Sequence, residues 1–222
     1  MAVPPPFQSL MSKRALVLLV IATLAAGLGL WASQRHFAGR GSSVPAVRSM
    51  TLLPEPRSLP AFALQQSDGT PLTADELKGH WTLVFLGFTH CPDVCPTTLA
   101  QLAGAQKQWA SLPAATRPRV LFVSADPERD SAELTGTYAH GFHPDTLAAT
   151  APVPQLEAFA RSLSLVFMKA PGPSGDPGDY SIDHSAGLVV LDPQARMAGV
   201  AQQPLDVTSI AADMASLTKA VR

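Results

Sequence analysis

The chain has 222 residues, 46% of them hydrophobic and only 15% charged, with a formal net charge of −1. That near-neutral balance excludes bulk electrostatic attraction to nucleic acid or to an anionic surface. The length suits one domain of ordinary size with a segment to spare, and the low charge content places part of the chain outside water.

Residues 1–14 are a short Pro-rich tail. The uncharged run "ALVLLVIATLAAGLGLW", Ala15 to Trp31, follows and is at the short end of what spans a bilayer core as a helix. Lys13 and Arg14 precede it and Trp31 closes it, so the positive side predicts a cytoplasmic tail, a single-pass anchor over 15–31 and an exported remainder. A cleaved signal peptide is the alternative, with Met11-Ser-Lys-Arg as its charged start. No small-residue cleavage site follows and no lipobox cysteine exists, which favours the uncleaved anchor. Either way the folded part is exported, in a bacterial-looking chain to the periplasm, where unprotected thiols oxidise. Residues 32–58, with "GRGSSVPAVRS" and "LPEPRS", lack apolar periodicity and read as a linker.

The folded domain is expected over 59–222. "FALQQSDGTPLT" alternates around Asp68-Gly69, a hairpin signal. "TADELKG" is a short helix with Thr73 as N-cap, Glu76 three positions on and Gly79 as its stop. "WTLVFLGF" and "RVLFVSAD" are apolar runs of strand length, as strands buried on both faces require. A helix with Pro96 in its first turn follows the former, and "SAELTGTYAHGF" is a helix after the latter. "VPQLEAFARSLSL" reads as a helix, "VFMKA" as a strand and "PGPSGDPGDYSIDHS" as a long loop. A hairpin turned at Asp192-Pro193 and a helix over 206–220 close the chain. Strands and helices alternate, which predicts an α/β fold: a thioredoxin-like central sheet with helices on both faces, behind an N-terminal transmembrane helix.

Both cysteines lie in "FTHCPDVCPTT", Cys91 and Cys95, where a strand meets the start of a helix. A helix N-terminus favours thiolate, and this spacing puts both side chains on one face. The pair can close a disulfide, act as a redox couple or hold a soft ion. A bare C-x-x-x-C does not choose among these. Redox enzymes of this fold use C-x-x-C, and structural zinc wants a second ligand pair that the chain lacks. His184, just before "GLVVLD", sits in the segment that would cross over the cysteine junction. Two thiolates and an imidazole make a soft three-point site that suits Cu(I) and accepts Cu(II) with one added ligand. His90 adjoins Cys91 but is expected to point away from it.

"GFTHCPDVCPTTL", "SADPERDSAEL" and "SIDHSAGLVVLDPQ" resemble, in order and spacing, the three signature stretches of the SCO/SenC (PrrC) family. The resemblance implies a membrane-tethered copper-binding protein of thioredoxin fold, a metallochaperone and not an enzyme. It implies one copper per chain on Cys91, Cys95 and His184, and delivery to the CuA centre of cytochrome c oxidase subunit II. A second periplasmic copper carrier would be a further partner. Thiol-disulfide exchange on the cysteines of that centre, by Cys91 and Cys95 as a redox-active pair, is the alternative. Asp126 and Glu128 match the family's D-P-E stretch; Asp126, expected at the end of its strand, either supports the site or serves the fold alone.

Overall fold

The protein is described by a computed structural model over residues 13–38, 47–172, 174–176 and 178–220. The chain divides into two units, residues 1–44 and 45–222.

In the first unit, helix α1 runs Lys13–Ala38, past the expected end at Trp31. Within it Lys13–Arg35 is long and apolar enough to cross a membrane. Its residues through Arg35 are exposed. The Arg35 guanidinium lies 4.9 Å from the Trp31 ring centroid. The expected cytoplasmic tail falls almost wholly on residues 1–12, outside the described residues, as does the linker over 39–46.

The second unit begins with strand β1, Thr51–Arg57. Residues 51–57 are thus part of the folded unit, which corrects the linker boundary at 58. Pro54 and Pro56 hide this strand from a reading of periodicity, and they are tolerated because β1 is an edge strand. Strands β2 (Leu64–Gln66) and β3 (Pro71–Leu72) form the expected hairpin, with Gly69 at φ +80°. Helix α2 (Ala74–Leu77) carries the Thr73/Glu76 capping box. Strand β4 (Thr82–Gly87) is buried at every position, and helix α3 spans Val94–Trp109, starting two residues before Pro96. Strand β5 (Arg119–Ser124) ends before Asp126, which opens a turn instead of closing the strand. Helix α4 (Ala132–His140) is capped by the Ser131 hydroxyl. Strand β6 (Leu147–Thr150) was not expected, because "LAAT" is short and carries a single large apolar residue. Helix α5 is Val153–Ser162.

Strands β7 (Phe167–Pro171) and β8 (Tyr180–His184) pair antiparallel as a separate two-stranded sheet. The expected long loop is therefore shorter, and His184 ends a strand. Strands β9 (Leu188–Leu191) and β10 (Met197–Ala201) form the expected hairpin before helix α6, Val207–Ala220.

The main sheet is ordered β1-β10-β9-β4-β5-β6-β2-β3. Only β4-β5 and β5-β6 are parallel; the remaining pairs are antiparallel. Helices flank this central mixed sheet, as α/β layering predicts. Helix α3 packs on α6, where the Trp109 indole donates to the Ala211 carbonyl at 2.9 Å. Phe85, Phe122, Trp109 and Leu83 are fully buried in the core, each worth about 1.5–3 kcal/mol relative to exposure. At the β1 edge, a Cβ on Gly199 would lie 2.6 Å from the Thr51 carbonyl oxygen, so the close approach of β1 requires glycine there.

Candidate metal centre

The site forms where the central strand β4 ends. After Gly87 the chain turns through Phe88, Thr89 and His90, and the Cys91 N–H donates to the Phe88 carbonyl at 3.4 Å. Helix α3 then begins between the two cysteines. Its N-cap residue, Asp93, makes no side-chain cap. The Cys91 sulfur takes that place, accepting the Cys95 N–H at 3.4 Å. An amide at a helix N-terminus is a donor that complements the thiolate a metal ion requires.

Cys95 is fully buried, and Cys91 is half-buried at the rim. Burial pushes the Cys95 thiol up to about 12. A Cβ on Gly87 would lie 2.9 Å from the Cys95 sulfur and 2.9 Å from the Phe122 ring, so glycine at the strand end is what lets the thiol tuck in. Neither cysteine is in a disulfide.

His184 reaches the thiols from the other side. Its Nε2 lies 3.5 Å from the Cys95 sulfur, and its Nδ1 lies 3.1 Å from the Ser185 carbonyl oxygen. A carbonyl only accepts, so Nδ1 carries the hydrogen and the Nε2 lone pair faces the sulfurs. Burial pulls the imidazole below its ordinary value, which keeps it neutral and ligand-ready at pH 7. Phe85 and Phe88 stand edge-on to the ring at 6.2 and 6.0 Å between centroids. The ligand-type atoms of Cys91, Cys95 and His184 all lie within 4.8 Å of one another. Among the described residues they are the one group of three His, Cys or carboxylate side chains arranged to hold a metal ion, and the cluster has room for one.

His90 lies outside this group, with Nδ1 3.0 Å from the Thr89 hydroxyl and 3.4 Å from Asp130. Asp126 does not enter it either. It is buried, accepts the Tyr180 hydroxyl at 2.9 Å and pairs with Arg129. Sequence reasoning passed over Tyr180, Arg129 and Asp130. Asp130 is fully buried and accepts the Thr89 N–H at 2.8 Å, together with the hydroxyls of Thr89 and Ser124. The signal for Arg129 and Asp130 was the charged run "DPERD" directly after a buried strand, a place where buried carboxylates need partners.

The SCO1/SenC family model matches residues 52–219. The chain belongs to the SCO1/SenC family. A Stutzerimonas stutzeri protein named as copper-binding is 32% identical over 164 residues, 73% of this chain and 78% of that protein. The mitochondrial SCO2 homolog of Bos taurus is 33% identical over 177 residues, 79% of this chain and 65% of that protein. The chain therefore spans somewhat less than two thirds of the bovine relative. The crystal structure of Arabidopsis thaliana ScoI with copper bound is 30% identical, with a TM-score of 0.64 covering 74% of this chain and 98% of that one. SCO1/SenC membership also accounts for the thioredoxin-like layering around β4.

Proposed function

We propose that Cys91, Cys95 and His184 bind one copper ion, as Cu(I) or Cu(II), and that the chain is a membrane-tethered metallochaperone. The observation that carries this is the convergence of two sulfurs and one imidazole nitrogen within 4.8 Å at the domain surface. Two thiolates neutralise a divalent ion, and the soft donor set favours Cu(I). Each thiol gives up its proton as copper enters. A copper-binding relative and a copper-bound structural neighbour support the same reading. The recipient we infer is the CuA centre of cytochrome c oxidase subunit II, with another periplasmic copper carrier as the source.

Helix α1 is the inner-membrane tether, crossing once, with Lys13 and Arg14 on the cytoplasmic side and the folded domain in the periplasm. A reporter fused after Trp31 is expected to be active outside the cytoplasm and silent inside it.

Thiol-disulfide exchange is the second reading. It is favoured by one specific arrangement: a half-buried Cys91 beside a fully buried Cys95, an attacking thiol next to a resolving one. His184→Ala separates the two functions. Imidazole is one of three protein donors for copper, whereas exchange itself uses only the thiols. Cu(II) binding should fall strongly in this variant, two-coordinate Cu(I) binding should survive in part, and CuA assembly in cells should drop. A variant that loses copper yet keeps disulfide reduction and normal CuA assembly would replace the chaperone by the oxidoreductase.

A further inference from the structure

The two halves of the metal site come from different parts of the fold, and one short loop touches both. On the thiol side, Asp130 holds the turn that leads into Cys91, through the Thr89 N–H at 2.8 Å and the Thr89 hydroxyl. On the imidazole side, the β7-β8 hairpin pairs with no strand of the main sheet among the described residues. Tyr180, the first residue of β8, is gripped in three ways. Its hydroxyl donates to Asp126 Oδ1 at 2.9 Å, and its backbone carbonyl accepts Arg129 Nη1 at 2.9 Å. The Arg129 guanidinium also lies 3.7 Å from its ring centroid. Lys169 on β7 adds an ion pair to Glu128 at 2.6 Å. The loop is tied to itself, since the Asp130 N–H donates to the Asp126 carbonyl at 2.8 Å.

We propose that the loop Asp126–Asp130 is a yoke that fixes the separation of the thiol and imidazole ligands, with Tyr180 as its handle on the strand that carries His184. Tyr180 is a positioning residue. Three strand residues lie between it and His184, four steps or roughly 13 Å along an extended chain, so it does not reach the metal itself. The inference rests on the copper reading for its consequence, but the tether itself is a property of the metal-free protein.

Tyr180→Phe tests it, because this removes one hydroxyl and keeps the ring that packs against Arg129. Losing a hydrogen bond to a buried carboxylate should weaken Cu(II) binding about tenfold. It should also shift the thiolate-to-copper charge-transfer band toward that of His184→Ala, while Cu(I) affinity stays within about twofold of the parent. In the metal-free protein, the amides of residues 180–184 should exchange hydrogen faster while those of β4 do not change. Asp126→Asn, which keeps an acceptor for the hydroxyl but loses the charge paired with Arg129, should give the same pattern. Unchanged exchange in the hairpin of Tyr180→Phe overturns the tether. Parental Cu(II) affinity and band in Tyr180→Phe, alongside loss in His184→Ala, overturns the positioning role. If His184→Ala itself keeps Cu(II), the copper reading fails instead, and hydrogen exchange in the metal-free protein still decides whether the tether exists.

Discussion

The thiol arm and the imidazole arm of the site are built by different physics. Cys95 hangs from the junction of β4 and α3, is fully buried, and its sulfur is tucked against Gly87. His184 ends a two-stranded hairpin that pairs with itself and is fixed by Tyr180, Arg129 and Lys169. The first arm moves only if the core moves, because close-packed interiors do not deform continuously. The second has a core anchor, Ile182, and the Phe85 and Phe88 rings beside His184, and otherwise depends on a few polar contacts worth about 1–3 kcal/mol each, which local opening can break. In the proposed chaperone, that division would make the thiol pair the fixed part of the site and His184 its adjustable ligand.

The largest expected effect comes from breaking the rigid arm chemically. Cys91→Ser or Cys95→Ser leaves too few soft donors to compete with buffer thiols, so copper stoichiometry should fall from one per chain to near zero. Metal analysis after gel filtration of the reduced protein checks this, and full stoichiometry in Cys95→Ser would remove that residue from the site.

A steric change to the same arm should cost less. Gly87→Ala places a Cβ 2.9 Å from both the Cys95 sulfur and the Phe122 ring, closer than such atoms approach. Overpacking of this kind costs about 1–3 kcal/mol of stability, measurable by urea unfolding, and should weaken both copper ions together by displacing Cys95. If only Cu(II) weakened, the thiol arm would be the adjustable one and the comparison would be inverted.

How far the sequence revealed these two arms follows the same division. The thiol arm was legible: a continuous apolar strand, a turn and a helix start are local patterns, and Cys91 and Cys95 fall within them. His184 was legible as a residue but misplaced onto a loop, because the Gly- and Pro-rich stretch before it masks a strand whose partner, Phe167, lies far back in the chain. Tyr180 was invisible, since its role depends on Asp126 and Arg129, residues brought together by the fold and by no local period. The strand at Thr51–Arg57 was lost to its two prolines, which an edge position permits.

The smallest effect is kinetic. In metal-free reduced protein, iodoacetamide should modify Cys91 well before Cys95, since Cys95 is fully buried and its thiol is pushed up to about 12. The thiolate of Cys95 appears only as pH rises toward that value, so moving from about pH 7 to about pH 9 should leave it a thiol and unlabelled. Peptide mapping by mass spectrometry distinguishes the two sites, and equal labelling at neutral pH would mean that the buried thiol is open to solvent.

The ligand set itself is open to one direct measurement, X-ray absorption at the copper edge on the protein loaded with a single Cu(II). Two sulfur scatterers and one imidazole nitrogen are expected, with the imidazole contribution lost in His184→Ala. A shell of nitrogen and oxygen alone, or one unchanged by that substitution, would contradict the assignment of copper to Cys91, Cys95 and His184.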